Sequence, residues 1–114
     1  MIGRWAATSR DRWACPERAS GIPLIAHADN TDARRDRKQN LWRVRLTDFR
    51  ITGNPKSGHG IEARSINEVF IEGLTVSEHG GDGIRLDYCY EDPRVCDSLI
   101  TYNKQVGLNL LGCH

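Results

Sequence analysis

The sequence has no apolar run approaching the roughly 20 residues that a membrane-spanning helix needs. It also has almost no excess charge of one sign: 16 Lys and Arg face 15 Asp and Glu. The first absence excludes a helical membrane span. The second gives no reason to expect nucleic acid or an anionic membrane as an obligatory partner. The opening run MIGRWAATSRDRW lacks the apolar core of a secretory signal. No CxxC pair occurs among the four cysteines, so a structural zinc site is not expected. Long helical periodicity is also missing, and aromatic residues make up only 7% of the chain.

Glycine, by contrast, is plentiful, with 11 residues in a chain of 114. Many glycines open the same short pattern, Gly–aliphatic–x–aliphatic. It occurs at Gly21-Ile22-Pro23-Leu24, Gly60-Ile61-Glu62-Ala63, Gly83-Ile84-Arg85-Leu86 and Gly107-Leu108-Asn109-Leu110. The steps from 60 to 83 and from 83 to 107 are 23 and 24 residues. The step from 21 to 60 is longer by about the length of the stretch 29–39, which is wholly polar apart from one Ala and reads as an exposed insertion. Other apolar positions keep the beat. Val44 and Leu46 recur as Val69 and Ile71, and Phe49 and Ile51 recur as Leu74 and Val76.

A fixed period with like residues at like places is the signature of a stacked repeat. Each period predicts three short strands: 43–47, 49–52 and 61–64, then 68–72, 74–77 and 84–87, then 94–96, 98–101 and 108–111. Strand alternation puts Ile84 and Leu86 on one face and Arg85 and Asp87 on the other. The register stacks Glu62 on Arg85, Arg64 on Asp87 and Arg43 on Glu68, three pairings of opposite charge. It also aligns Thr52, Ser77 and Thr101 as a hydroxyl column, and Asn54, His79 and Asn103 as a turn column. In the turn HGGDG, the expectation is that Gly80, Gly81 and Gly83 supply positive φ. They do not make a phosphate loop, because no GxGxxG or Lys-Ser/Thr follows.

The run from VRLTDFRITGN through GHGIEARSINEVFIEGLTVSEHGGDGIRLDYC to GLNLLGCH resembles the repeats of right-handed parallel β-helices, the pectate-lyase-like superfamily. The resemblance covers about residues 40–114, with Gly21–Ala28 as an outlying piece. It implies an all-β solenoid of about three turns of roughly 24 residues over 21–114, preceded by an irregular segment, 1–20. It further implies a polysaccharide partner, a lyase-like or epimerase-like parent, and Ca²⁺ as a cofactor of that family. The alternative is a non-catalytic glycan-binding or structural solenoid. The chain is expected to be part of a longer, secreted or cell-surface parent, stacked on further coils of it and inactive alone.

Under this reading Arg85, Asp87 and His79 are the candidate catalytic group, with Glu62, Arg64 and Asp82 as candidate substrate-binding residues. His59 and Glu78 stand in the adjoining turn. Each has a plainer explanation as well: ladder pairing for Arg85 and Asp87, turn chemistry for His79 and Asp82. No metal ligand set is assigned. Asn30-Thr31-Asp32 and Gly58-His59-Gly60 look like pieces of an inverting polygalacturonase signature, but the paired aspartates that inversion requires are missing. Cys89 and Cys113 each follow a repeat glycine by six residues. They are therefore either two thiols in one ladder or a bridge between turns.

Overall fold

The computed structural model describes residues 6–9, 12–14, 19–25 and 41–113. Cys15, the polar stretch 29–39 and Asn30-Thr31-Asp32 lie outside them. Among the described residues there is no helix, and almost every strand pair is parallel. The strands are β1 (Ala6–Ser9), β2 (Arg12–Ala14), β3 (Ile22–Ile25), β4 (Leu41–Trp42), β5 (Arg45–Thr47), β6 (Arg50–Thr52) and β7 (Ile61–Arg64). They continue as β8 (Ile66–Asn67), β9 (Phe70–Glu72), β10 (Thr75–Ser77), β11 (Ile84–Asp87), β12 (Arg94–Cys96), β13 (Leu99–Thr101) and β14 (Leu108–Leu111).

Four sheets result, each built from strands one period apart. Their orders are β1-β2-β6-β10-β13, β14-β11-β7-β3, β12-β9-β5 and β4-β8. This is an all-β stack of parallel strands in register, the arrangement a β-solenoid requires. Successive passes are here called rungs. Ile22, Ile61, Ile84 and Leu108 are direct neighbours across the second sheet, as are Leu24, Ala63, Leu86 and Leu110. Ile51, Val76 and Ile100 form one column, and Leu46, Ile71 and Val95 another.

These columns are the core. Ile51, Ile61, Ile66, Ile71, Val76 and Ile84 are fully buried. Each contributes about 1.5–3 kcal/mol of transfer free energy. The alternation that the sequence showed is therefore the reason the strands hold register, since a slip by one residue would turn every aliphatic outward. On the last rung the same inward positions are less covered: Leu108 is 38% exposed and Leu110 56%.

Two features differ from the sequence reading. The segment taken as irregular contains β1 and β2, which form an antiparallel pair. β2 then pairs in parallel with β6, Trp13 opposite Ile51. No repeat glycine marks this piece, so the periodic pattern did not reveal it. The second difference concerns Gly80, Gly81 and Gly83, none of which has positive φ. They are needed for space. A Cβ on Gly80 would lie 2.3 Å from the Ser57 carbonyl oxygen, one on Gly81 2.7 Å from His59 Nδ1, and one on Gly83 2.7 Å from the Gly107 carbonyl oxygen.

The corners instead use left-handed residues, most of them not glycine, and they too are stacked. Arg43 (φ 59°), Glu68 (56°) and Glu91 (58°) occupy one corner. Asp48 (58°), Gly73 (70°) and Asp97 (49°) occupy a second, and Ser65 (61°), Tyr88 (52°) and Gly112 (64°) a third. Glu78 (62°) and Tyr102 (55°) share a fourth. One left-handed residue turns a strand sharply without a loop. That explains how strands of three or four residues enclose a core.

Candidate functional site

The outward face of the β3-β7-β11-β14 sheet carries most of the sequence-predicted site residues. The register is the expected one, with Arg85 opposite Glu62 and Asp87 opposite Arg64. The side chains, however, pair along the strand as well as across it. Arg85 Nε donates to Asp87 Oδ1 at 3.0 Å and lies 3.2 Å from Oδ2. Arg64 Nη2 lies 3.6 Å from Asp87 Oδ2 and 3.7 Å from Glu62 Oε1. Glu62 Oε2 accepts a hydrogen bond from Ser20 Oγ at 2.6 Å. Asp87 thus sits between two guanidiniums. Its side chain is 4% exposed, against 28% for Arg64 and 31% for Arg85.

Asp82 belongs to the same network but faces the turn. It is buried, and its Oδ1 accepts the Val106 N–H at 3.0 Å while its Oδ2 accepts from Asn109 Nδ2 at 3.1 Å. Arg85 Nη1 approaches Oδ2 at 3.9 Å. The Asp82 N–H donates to His59 Nδ1 at 2.8 Å. His59 Nδ1 is therefore an acceptor, and its 3.6 Å approach to Asp82 Oδ2 is not an ion pair. Among the residues named from sequence, Arg85, Asp87, Arg64, Glu62 and Asp82 are brought together.

His79 is not on this face. It is 1% exposed, inside the turn between β10 and β11. Its ring fills space left by two glycines of the rung below: a Cβ on Gly53 would meet Nδ1 at 2.4 Å, and one on Gly60 would meet Nε2 at 2.8 Å. Neither ring nitrogen makes a hydrogen bond. Burial lowers the imidazole pKa from 6.5 to about 4; the Ile51 carbonyl opposes this and the nearby His59 adds to it. The turn column holds as expected through Asn103, whose Oδ1 accepts the His79 N–H at 3.0 Å.

The neighbouring β6-β10-β13 face shows the expected hydroxyl column of Thr52, Ser77 and Thr101. It lines a groove of about 290 Å³ together with Arg50, Glu78 and Tyr102. Tyr102 is 85% exposed. Sequence reasoning missed Ser20 and Asn109 as partners of Glu62 and Asp82. The register signalled Asn109, which stands opposite Arg85 on the next strand. Ser20 carries no such mark, because it precedes its strand.

The cysteines of the described residues, Cys89, Cys96 and Cys113, are free thiols. Cys96 lies with Glu72 and Asp97 in a small group whose ligand-type atoms are all within 4.8 Å of one another. No protein-family model matches the chain, and comparison with curated proteins and with solved structures finds no significant match.

Proposed function

We propose that this chain is a segment of a right-handed parallel β-helix of the pectate-lyase-like kind whose β3-β7-β11-β14 face binds polysaccharide. The observation that carries the reading is the clamp of Arg64 and Arg85 on one buried carboxylate, Asp87. A guanidinium fixed through one edge keeps further N–H groups free to donate in a set direction. Two such groups on adjacent strands offer a rigid row of donors to sugar hydroxyls or carboxylates. Little side-chain entropy remains to be lost on binding.

Binding is favoured over cleavage for a chemical reason. Glu62, Asp82 and Asp87 outnumber Arg64 and Arg85 three to two, so the face is internally compensated and slightly acidic. A polyuronate would then need a bridging cation, which is where the Ca²⁺ of the resemblance would enter. Elimination would also need a base free to take a proton. Arg85 Nε is committed to Asp87, and His79 lies in the interior.

The test is titration of the chain with neutral and uronate polymers, with and without Ca²⁺, comparing the native protein with Arg85→Gln. Weakened binding of at least one polymer by the variant supports the reading. Identical curves, or no binding to any polymer, overturn it. Formation of unsaturated ends would replace it with the lyase reading, in which Arg85 and Asp87 would face the reacting sugar.

A further inference from the structure

Cys89 and Cys113 occupy equivalent places on successive rungs. β11 and β14 run in register as far as Asp87 and Leu111. The Tyr88 N–H then donates to the Leu111 carbonyl at 2.8 Å. Position 113 therefore lies over position 89, one strand spacing away. The side chains repeat as well. Cys89 Sγ points to the Ala63 carbonyl of the rung below at 3.7 Å and to the Asp87 carbonyl of its own rung at 3.6 Å. Cys113 Sγ points to Leu86 at 3.2 Å and Leu111 at 3.7 Å. Ala63 and Leu86 are register partners, and so are Asp87 and Leu111. One thiol is thus the other moved by a rung, about 4.8 Å. That lies inside the roughly 4.4–6.8 Å window of Cα separations a disulfide accepts.

We propose that Cys89 and Cys113 form a hydroperoxide-sensitive dithiol that closes to a disulfide between neighbouring rungs. The two thiols differ in access, and this sets their order of reaction. Cys89 is fully enclosed, whereas Cys113 is half-buried. The neighbouring Cys89 holds the Cys113 thiol below its ordinary value, while Cys113 and burial push Cys89 up. Cys113, the more accessible thiol and the more readily ionised of the two, attacks first. Its sulfur attacks the distal oxygen of the peroxide and breaks the O–O bond, giving the sulfenic acid and, once the departing oxygen takes a proton, an alcohol or water. The Cys89 sulfur then attacks the sulfenic sulfur, and the hydroxyl leaves as water with the Cys89 proton. Two electrons pass from the sulfurs to one O–O bond.

This inference is independent of the polysaccharide reading. Its test is peptide mapping of the whole chain after treatment with hydrogen peroxide. Trypsin separates the cysteines, since Cys15, Cys89, Cys96 and Cys113 fall in 13–18, 86–94, 95–104 and 105–114. The expected product is a cross-link of 86–94 to 105–114, two hydrogens lighter than the separate peptides. Closing this loop should raise the unfolding midpoint by on the order of 10 °C. In Cys89→Ser, sulfenic acid at Cys113 should accumulate and be trapped by dimedone. Over-oxidation of Cys113 in the native chain with Cys89 still free overturns the proposal. So does a cross-link that joins only different molecules.

Discussion

The carboxylate of Asp82 holds the backbone of Val106, 24 residues on, through a hydrogen bond of 3.0 Å. Its other oxygen takes Asn109 Nδ2, so one buried side chain secures both the turn and the strand of the next rung. Asp82→Ala removes both acceptors at once. We expect a loss of about 1–3 kcal/mol, the usual cost of stranding buried polar partners. Asp82→Asn should fall between the two, because its oxygen can keep Val106 while its amide opposes the Asn109 amide. Urea unfolding midpoints at constant m-value check this order, and equal midpoints for all three proteins would contradict it.

The corners give a prediction of the opposite sign. Glu78 is exposed and left-handed at φ 62°. Glycine adopts that conformation without the steric cost that other residues bear. Part of the gain is offset by the greater freedom of glycine in the unfolded chain. Glu78→Gly should therefore stabilise by about 0.5–1 kcal/mol. At Gly73, with φ 70°, the reverse change should destabilise by more than about 1 kcal/mol, because the new Cβ would also lie 2.4 Å from Asp48 Oδ1. Thermal melts of the two variants should move in opposite directions.

The strands were legible because burial and period coincide. Ile61, Ile84 and Leu108 mark both the inward face and the repeat, so one pattern fixed the element and its neighbour. The corners were not legible. Left-handed backbone at Arg43, Glu68, Tyr88 and Glu91 is imposed by the closed shape of the rung, and these residue types carry no signal for it. The glycines of the turn stand out in the sequence, but the property they supply is not positive φ. Their backbones stay at ordinary φ, and what they supply is room beside Ser57, His59 and Gly107. The site was half visible for a similar reason. Register placed Arg85 by Glu62, but a long guanidinium chooses its partner by rotamer, and Arg85 turned along its own strand to Asp87.

Close packing at the turn makes Gly60 hard to replace. An added Cβ would sit 2.5 Å from the Gly83 carbonyl oxygen, 2.7 Å from Val76 Cγ1 and 2.8 Å from His79 Nε2. Backbone, core and ring would all have to move. Gly60→Ala should cost about 1–3 kcal/mol or more through overpacking. Gly107→Ala should cost less, since its nearest neighbour, Ile100 Cγ2, lies at 3.5 Å, an ordinary contact. Side-by-side denaturation of the two variants measures the difference, and equal losses would show that the turn can relax.

Asp87 is the positioning residue of the proposed binding face. Asp87→Asn keeps the shape but removes the charge that holds Arg64 and Arg85. If fixed guanidiniums account for polysaccharide affinity, the variant should bind about tenfold more weakly, equivalent to roughly 1.4 kcal/mol. Its unfolding should remain cooperative. Isothermal titration against the polymer that the native chain binds tests this, and unchanged affinity would show that the arginines need no clamp.

His79 should set the acid limit of the fold. Its pKa falls from 6.5 to about 4 on burial, so the folded chain binds fewer protons than the unfolded chain between those values. Stability must then rise with pH across the window. Equivalently, the full contribution is present above about 6.5 and is lost as pH falls toward 4. The shift corresponds to on the order of 3 kcal/mol. Carboxylates titrate near the lower end, so the comparison has to be with a variant that lacks the imidazole. His79→Asn suits this, because asparagine stands at the matching turn positions 54 and 103. Denaturation midpoints of both proteins, measured from pH 7 to pH 4, should diverge near neutrality and converge as the solution is acidified. Parallel curves would mean that the ring finds a partner for its proton inside the fold.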